Sequence, residues 1–148
     1  MFRHILVPTD GSKLSLKAAK VAAQLAAALK ARITTIYVIA PYLPAMEAEG
    51  LAFYGAYTAR EYEKSMRKTG DQAHAKVKAV TGAARVKSDA LTVVQGNPWE
   101  AIIKAAREKK CDLIVMASHG RRGLQGLLLG SETQKVLTHS KTPVLVCR

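Results

Sequence analysis

The sequence predicts an α/β protein with a parallel sheet covered by helices on both faces. Short apolar, β-branched runs alternate with longer segments whose apolar residues recur at helical spacing, in the order β-α-β-α-β-α-β-α-β. Turn chemistry follows two of the runs: Thr9-Asp10-Gly11-Ser12 after the first and Gly96-Asn97-Pro98 after the third. Strands that alternate with helices pair in parallel through right-handed crossovers.

The first strand covers 2–7 and ends at Pro8, with Ser12 placed to cap the helix that follows. Over 14–30, Ala18, Val21, Ala22, Leu25 and Leu29 repeat at helical spacing. A second strand covers 33–39. Residues 40–56, with Pro41, Pro44, Gly50 and Gly55, read as a long irregular connection. A charged second helix covers 57–80 and is interrupted by Gly70. The third strand, 90–94, precedes a helix over 99–109, for which Asn97 as N-cap and Pro98 at the first position are strong start signals. The fourth strand covers 112–116, a last helix 132–140, and the fifth strand 144–147.

A flavodoxin-like arrangement of these strands has the order 3-2-1-4-5. In open sheets of this kind, ligands bind beyond the C-terminal strand ends where the order reverses. The reversal falls between strands one and four. It sets Asp10, after strand one, opposite the loop after strand four.

Composition bounds the rest. At 148 residues the chain is expected to form one domain with an ordinary core, and 49% apolar with 23% charged residues is normal for a soluble globular protein. No apolar stretch approaches the roughly 18–20 residues of a membrane span. The first residues lack the pattern of a signal peptide, so a cytoplasmic protein is expected. Cys111 and Cys147 have no metal-binding or C-x-x-C spacing and read as small buried thiols. A net charge of +12 favours anionic partners, but the basic residues are spread along the chain. With 5% aromatic residues and no basic-aromatic interleaving, the sequence argues against a nucleic-acid platform.

The loop over 117–131, ASHGRRGLQGLLLGS, is the richest segment. Gly120 allows close backbone approach, and Gly130-Ser131 brings N–H groups and a hydroxyl to the start of a helix. Ser131 with Gln134 also reads as a capping box, which needs no ligand. Arg121 and Arg122 can reach a phosphate or remain solvated, whereas Gly123 and Gly126 read as loop flexibility. The pattern is neither the G-x-x-x-x-G-K-[ST] phosphate loop nor G-x-G-x-x-G. Asp10 suits a ribose hydroxyl, a divalent ion between phosphates, or a simple Asx turn. Strand three ends Val94-Gln95-Gly96, which excludes a phospho-acceptor aspartate there. His4, His74, His119 and His139 form no triad or metal spacing, and His119 reads as a loop hydrogen-bonding residue. Trp99 is expected to pack on the sheet. The apolar strand 144–147 is an exposed edge in this order and predicts a homodimer through that strand.

Four separated motifs, ILVPTDGS, GNPWEAII, DLIVMASHGRRGLQGLLLGS and KTPVLVCR, resemble the universal stress protein family across essentially the whole chain. The ATP-binding branch carries G-x2-G-x9-G-[S/T]. Here it falls on Ala117, Gly120, Gly130 and Ser131, so alanine replaces the first glycine while its N–H is retained. The resemblance implies that Pro8, Thr9 and Asp10 line the adenosine side, with Val38 against adenine and Met116 nearby. It places Gly120, Gly130, Ser131, Glu132 and Thr133 around the phosphates of ATP and a Mg2+ or Mn2+ ion. It also implies a flavodoxin- or Rossmann-like fold, a dimer through the last strand, and expression under stress. The sequence therefore predicts an ATP-binding dimeric module. A slow ATPase or phosphotransfer protein using Ser131 or Thr133, and a nucleotide-independent basic interaction protein, stand as alternatives.

Overall fold

The computed structural model describes residues 1–42, 58–120 and 129–148. Five strands form one parallel sheet: β1 (His4–Pro8), β2 (Arg32–Ile39), β3 (Ser88–Val94), β4 (Leu113–Ala117) and β5 (Val144–Cys147). Between them run α1 (Lys13–Leu29), α2 (Ala59–Ala83), α3 (Pro98–Glu108) and α4 (Ser131–His139). The strand order is β3-β2-β1-β4-β5, as the sequence predicts. In register, Ile5 stands beside both Ile33 of β2 and Leu113 of β4.

Period-two alternation splits the core into two layers. Ile5, Val7, Leu113 and Val115 face one side, against the buried alanines Ala18, Ala19, Ala22, Ala23 and Ala26 of α1 and Val77 of α2. Leu6, Ile36, Ile114 and Met116 face the other, against Ile102 and Ala105 of α3 and Val136 of α4. The alanine stripe on α1 lets the helix lie close on the sheet. Trp99 packs at the edge of the second layer, its ring 4.7 Å from that of His139.

Several helix ends differ from expectation. Ser12 caps α1 as predicted, its Oγ accepting from Ser15 N–H at 3.1 Å. The predicted start of α2 at Tyr57 lies outside the described residues, as do 43–56 of the expected connection. The observed cap of α2 is Thr58, in a reciprocal capping box with Glu61. Gly70 does not break this helix, which continues to Ala83. A Cβ at Gly70 would stand 2.8 Å from Cδ1 of Tyr37, so the glycine admits the tyrosine ring. Asn97 occupies the N-cap position of α3 but makes no side-chain capping bond, and its Nδ2 donates to Glu100 Oε1 at 2.9 Å. The predicted Ser131–Gln134 capping box is absent. Gly130 is the N-cap of α4, and Ser131 is its first helical residue.

His74 is buried between two hydroxyls, Nδ1 at 2.7 Å from Thr35 Oγ1 and Nε2 at 3.1 Å from Thr92 Oγ1. Thr35 Oγ1 donates to the Asp89 carbonyl, which leaves it to accept from Nδ1. His4 is likewise buried, with Nε2 on Thr34 Oγ1. Burial, the largest cause in each case, lowers both histidine pKa values below 6.5. The unfolded chain therefore binds these protons more readily than the folded one. Stability is expected to fall as pH drops below about 6.5, and to level only below the folded pKa values. Urea denaturation at pH 7 and pH 5 measures this, and the pH 5 midpoint should be lower.

Both cysteines are buried thiols, and burial pushes Cys111 up to about 11. Among the described residues no helix is long and apolar enough to cross a membrane.

Candidate functional site

The C-terminal ends of β1 and β4 meet where the strand order reverses. On the β1 side, Thr9 N–H donates to Ile36 O at 2.9 Å and so extends the β1–β2 pairing by one residue. The chain then turns sharply. Gly11 adopts φ 78°, its N–H donates to Thr9 Oγ1, and Ser12 N–H donates to Asp10 Oδ1 at 2.9 Å. The Asx turn anticipated for Asp10 is thus present, and it aims the second carboxylate oxygen across the crevice. A Cβ on Gly120 would stand 3.0 Å from Asp10 Oδ2. The crevice is this narrow because residue 120 has no side chain.

On the β4 side, Ser118 N–H donates to Cys147 O at 2.7 Å, and the Ser118 carbonyl accepts Gly130 N–H at 2.7 Å. A Cβ on Gly130 would meet that same carbonyl oxygen at 3.1 Å and the His119 Cα at 3.3 Å. Thr133, 3% exposed, donates its hydroxyl to Ala117 O at 2.9 Å. These bonds pin the first turn of α4 to the end of β4. The Gly130 N–H is thereby used internally. The first-turn N–H groups of Ser131, Glu132 and Thr133 have no intrahelical acceptor, and the described residues supply no other. They carry the positive end of the helix dipole. An anionic oxygen is the ligand such an end accommodates.

The Glu132 side chain turns toward α3 and Lys135. Its Oε2 accepts Trp99 N–H at 2.9 Å, and Oε1 lies 3.5 Å from Lys135 Nζ. The carboxylate caps α3 in place of Asn97, which leaves its backbone N–H as the group it presents at α4. Pro8 ends β1 half-buried. Val38 and Met116 belong to one apolar cluster on the α3–α4 side of the sheet. Ala117 packs in the opposite cluster, beneath α1, so the methyl that replaces the motif glycine enters the core. Arg121, Arg122, Gly123 and Gly126 lie outside the described residues.

Sequence reasoning passed over Ser118 and His119 as parts of this site. Ser118 is buried, and its Oγ lies 3.1 Å from His119 Nδ1. A serine-histidine pair between an apolar strand and a glycine loop carries little signal until the loop is folded. Among the described residues no group of three or more His, Cys, Asp or Glu side chains could hold a metal ion. Asp10 is the crevice carboxylate, and an ion there would rely on its ligand for most of its coordination.

A five-stranded parallel sheet in this order, with a tight turn after β1 beside a helix N-terminus after β4, defines an open α/β protein whose ligands bind where the strand order reverses. The sequence matches the universal stress protein family over residues 1–148. A universal stress protein of Thermus aquaticus is 37% identical over 148 residues, covering 100% of both chains. One from Methanocaldococcus jannaschii is 34% identical over 150 residues, covering 100% of this chain and 83% of its own. The crystal structure of a universal stress protein in complex with cAMP superposes with a TM-score of 0.69 at 27% identity, covering 99% of this chain and 97% of that one. The chain belongs to the universal stress protein family.

Proposed function

We propose that this chain is a cytoplasmic, single-domain ATP-binding module of the stress response that works as a homodimer. One observation carries the reading: Asp10 and Gly120 meet across the β1–β4 crevice, beside a helix start whose first three N–H groups have no acceptor among the described residues. Adenine packs against Val38 with Met116 nearby, and Pro8 and Thr9 lie on the adenosine side. The phosphates lie on the N–H groups of Ser131, Glu132 and Thr133, with Gly120 and Gly130 giving them room. Arg121 adds charge from the loop. The Asp10 carboxylate takes a ribose hydroxyl or one position on a Mg2+ or Mn2+ ion carried by the polyphosphate. That a relative at 27% identity was solved with cAMP supports an adenine nucleotide as the ligand class.

Binding, rather than turnover, is what these groups account for. The Thr133 hydroxyl is buried and already donating, which removes it as a phosphate acceptor. Micromolar affinity corresponds to about 8 kcal/mol. Isothermal titration with Mg-ATP tests the reading. Saturable heat with a rise in melting temperature is expected, whereas neither effect at millimolar nucleotide would reject it.

The dimer rests on β5. It stands at one end of the sheet with β4 as its neighbour, and Leu145 is 39% exposed. An apolar edge of this kind pairs with a symmetry mate. Leu145→Lys is expected to shift the protein from dimer to monomer in light scattering, and an unchanged mass would remove β5 from the interface.

A further inference from the structure

We propose that the outer face of α1 is a docking surface for an acidic helical segment of a partner protein, held by Lys13, Lys17 and Lys20. The inference does not depend on the nucleotide reading above.

The sequence of α1, Lys13–Leu29, contains these three lysines and no aspartate or glutamate. At spacing i, i+4 and i+7 they line one face of the helix, and all three are exposed. The buried alanines Ala18, Ala19, Ala22, Ala23 and Ala26 hold another face against the sheet, so the lysine stripe looks outward. The other helices each set an acid within a turn of a base. Glu63 lies 2.8 Å from Arg67 in α2, Glu108 4.0 Å from Lys104 in α3, and Glu132 3.5 Å from Lys135 in α4. Lys13, Lys17 and Lys20 have no such ion pair among the described residues.

The placement also works against the helix itself. Lys13 is the first residue of α1, and the first turn holds no acid. A cation there opposes the positive end of the helix dipole, where a carboxylate would stabilise. Stripe and dipole add their positive charge along about 10 Å of axis, at 1.5 Å per residue. A carboxylate-bearing partner is what both attract.

The relief of the same face selects the occupant. Beyond Lys20 the stripe continues through Gln24, Ala27 and Ala28, all exposed. The two alanines leave the C-terminal half of α1 low, and a second helix can lie on it at the axis separation of about 8–10 Å found in packed helices. Carboxylates one turn apart on that second helix then meet the lysines. A nucleic-acid backbone would be met along only half of the stripe, because alanine carries no charge to place on a phosphate.

The test follows 1H–15N correlation spectra of the labelled protein at low salt with three probes. They are a synthetic helical peptide with glutamates at i, i+4 and i+7 and alanine on the rest of that face, the same peptide with glutamine for glutamate, and a DNA duplex. The glutamate peptide should shift the amides of Lys13, Lys17, Lys20, Gln24, Ala27 and Ala28 together. Its affinity should fall about tenfold in Lys17→Glu/Lys20→Glu, and by a similar factor when glutamine replaces glutamate. Lys64→Glu/Lys68→Glu makes the same change in net charge on α2 and should leave the affinity nearly unchanged. Lys13→Glu should raise the melting temperature, since it places an acid at the helix start. The comparison of the two peptides on the unaltered protein holds even if a variant does not fold. No shift with the glutamate peptide, equal affinity for the two peptides, or an equal loss in the α2 variant would each overturn the proposal. So would tighter binding of the duplex at these amides, which would make the stripe a nucleic-acid face, or a fall in melting temperature for Lys13→Glu, which would make it part of the fold.

Discussion

Gly130→Val is expected to weaken ATP binding by about 30-fold or more and to leave the fold intact. The valine Cβ would press on the Ser118 carbonyl oxygen at 3.1 Å and on the His119 Cα at 3.3 Å. Both are backbone atoms and cannot rotate away. Gly130 is further held by its own N–H bond to that carbonyl, at 2.7 Å. Relief must come from moving the first turn of α4 off the end of β4, which displaces the N–H groups assigned to the phosphates. Overpacking of this kind costs about 1–3 kcal/mol, and a loss of about 2 kcal/mol in binding is roughly 30-fold. Gly96→Val is the matched control, because a Cβ there meets nothing within 4 Å. Titration with Mg-ATP and circular dichroism on both variants separate the outcomes. Equal affinities for the two would remove Gly130 from the site.

A second large effect is expected in α2, where two glycines should respond with opposite sign. Gly70→Val places its Cβ 2.8 Å from Cδ1 of Tyr37, whose ring is 6% exposed and packs with Ile39 and Ala73. The buried ring must shift to admit the side chain, and destabilisation of about 2–3 kcal/mol is expected. Gly82→Ala meets nothing within 4 Å and lies one residue before the end of the same helix. There the gain in helix propensity should dominate and stabilise by about 0.5–1 kcal/mol. Urea denaturation of the two variants checks both signs. Loss of stability in both, or in neither, would contradict the packing described for Gly70.

That contrast shows why some of this fold was legible in the sequence and some was not. The strands were readable because runs such as Leu113 to Met116 are apolar on both faces, as a covered parallel strand must be. The alternation of elements gave the parallel sheet, and the flavodoxin-like arrangement assumed for it gave the strand order and with it the meeting of Asp10 and Gly120. Gly70 was misread as an interruption, because the sequence does not say that a tyrosine 33 positions earlier needs the space. The capping groups were misassigned for a similar reason. Asn97 and Ser131 have the right residue types at the right positions. The actual partners are chosen in three dimensions, where Glu132 reaches Trp99 N–H across two helices.

The most direct test is a 1H–15N correlation titration of the labelled protein with Mg-ATP. If polyphosphate is held where β1 and β4 diverge, the amide signals of Ser131, Glu132, Thr133 and Gly120 should move together and saturate at one affinity. Shifts confined to the charged surface of α2, or no shifts at millimolar ATP, would contradict that placement.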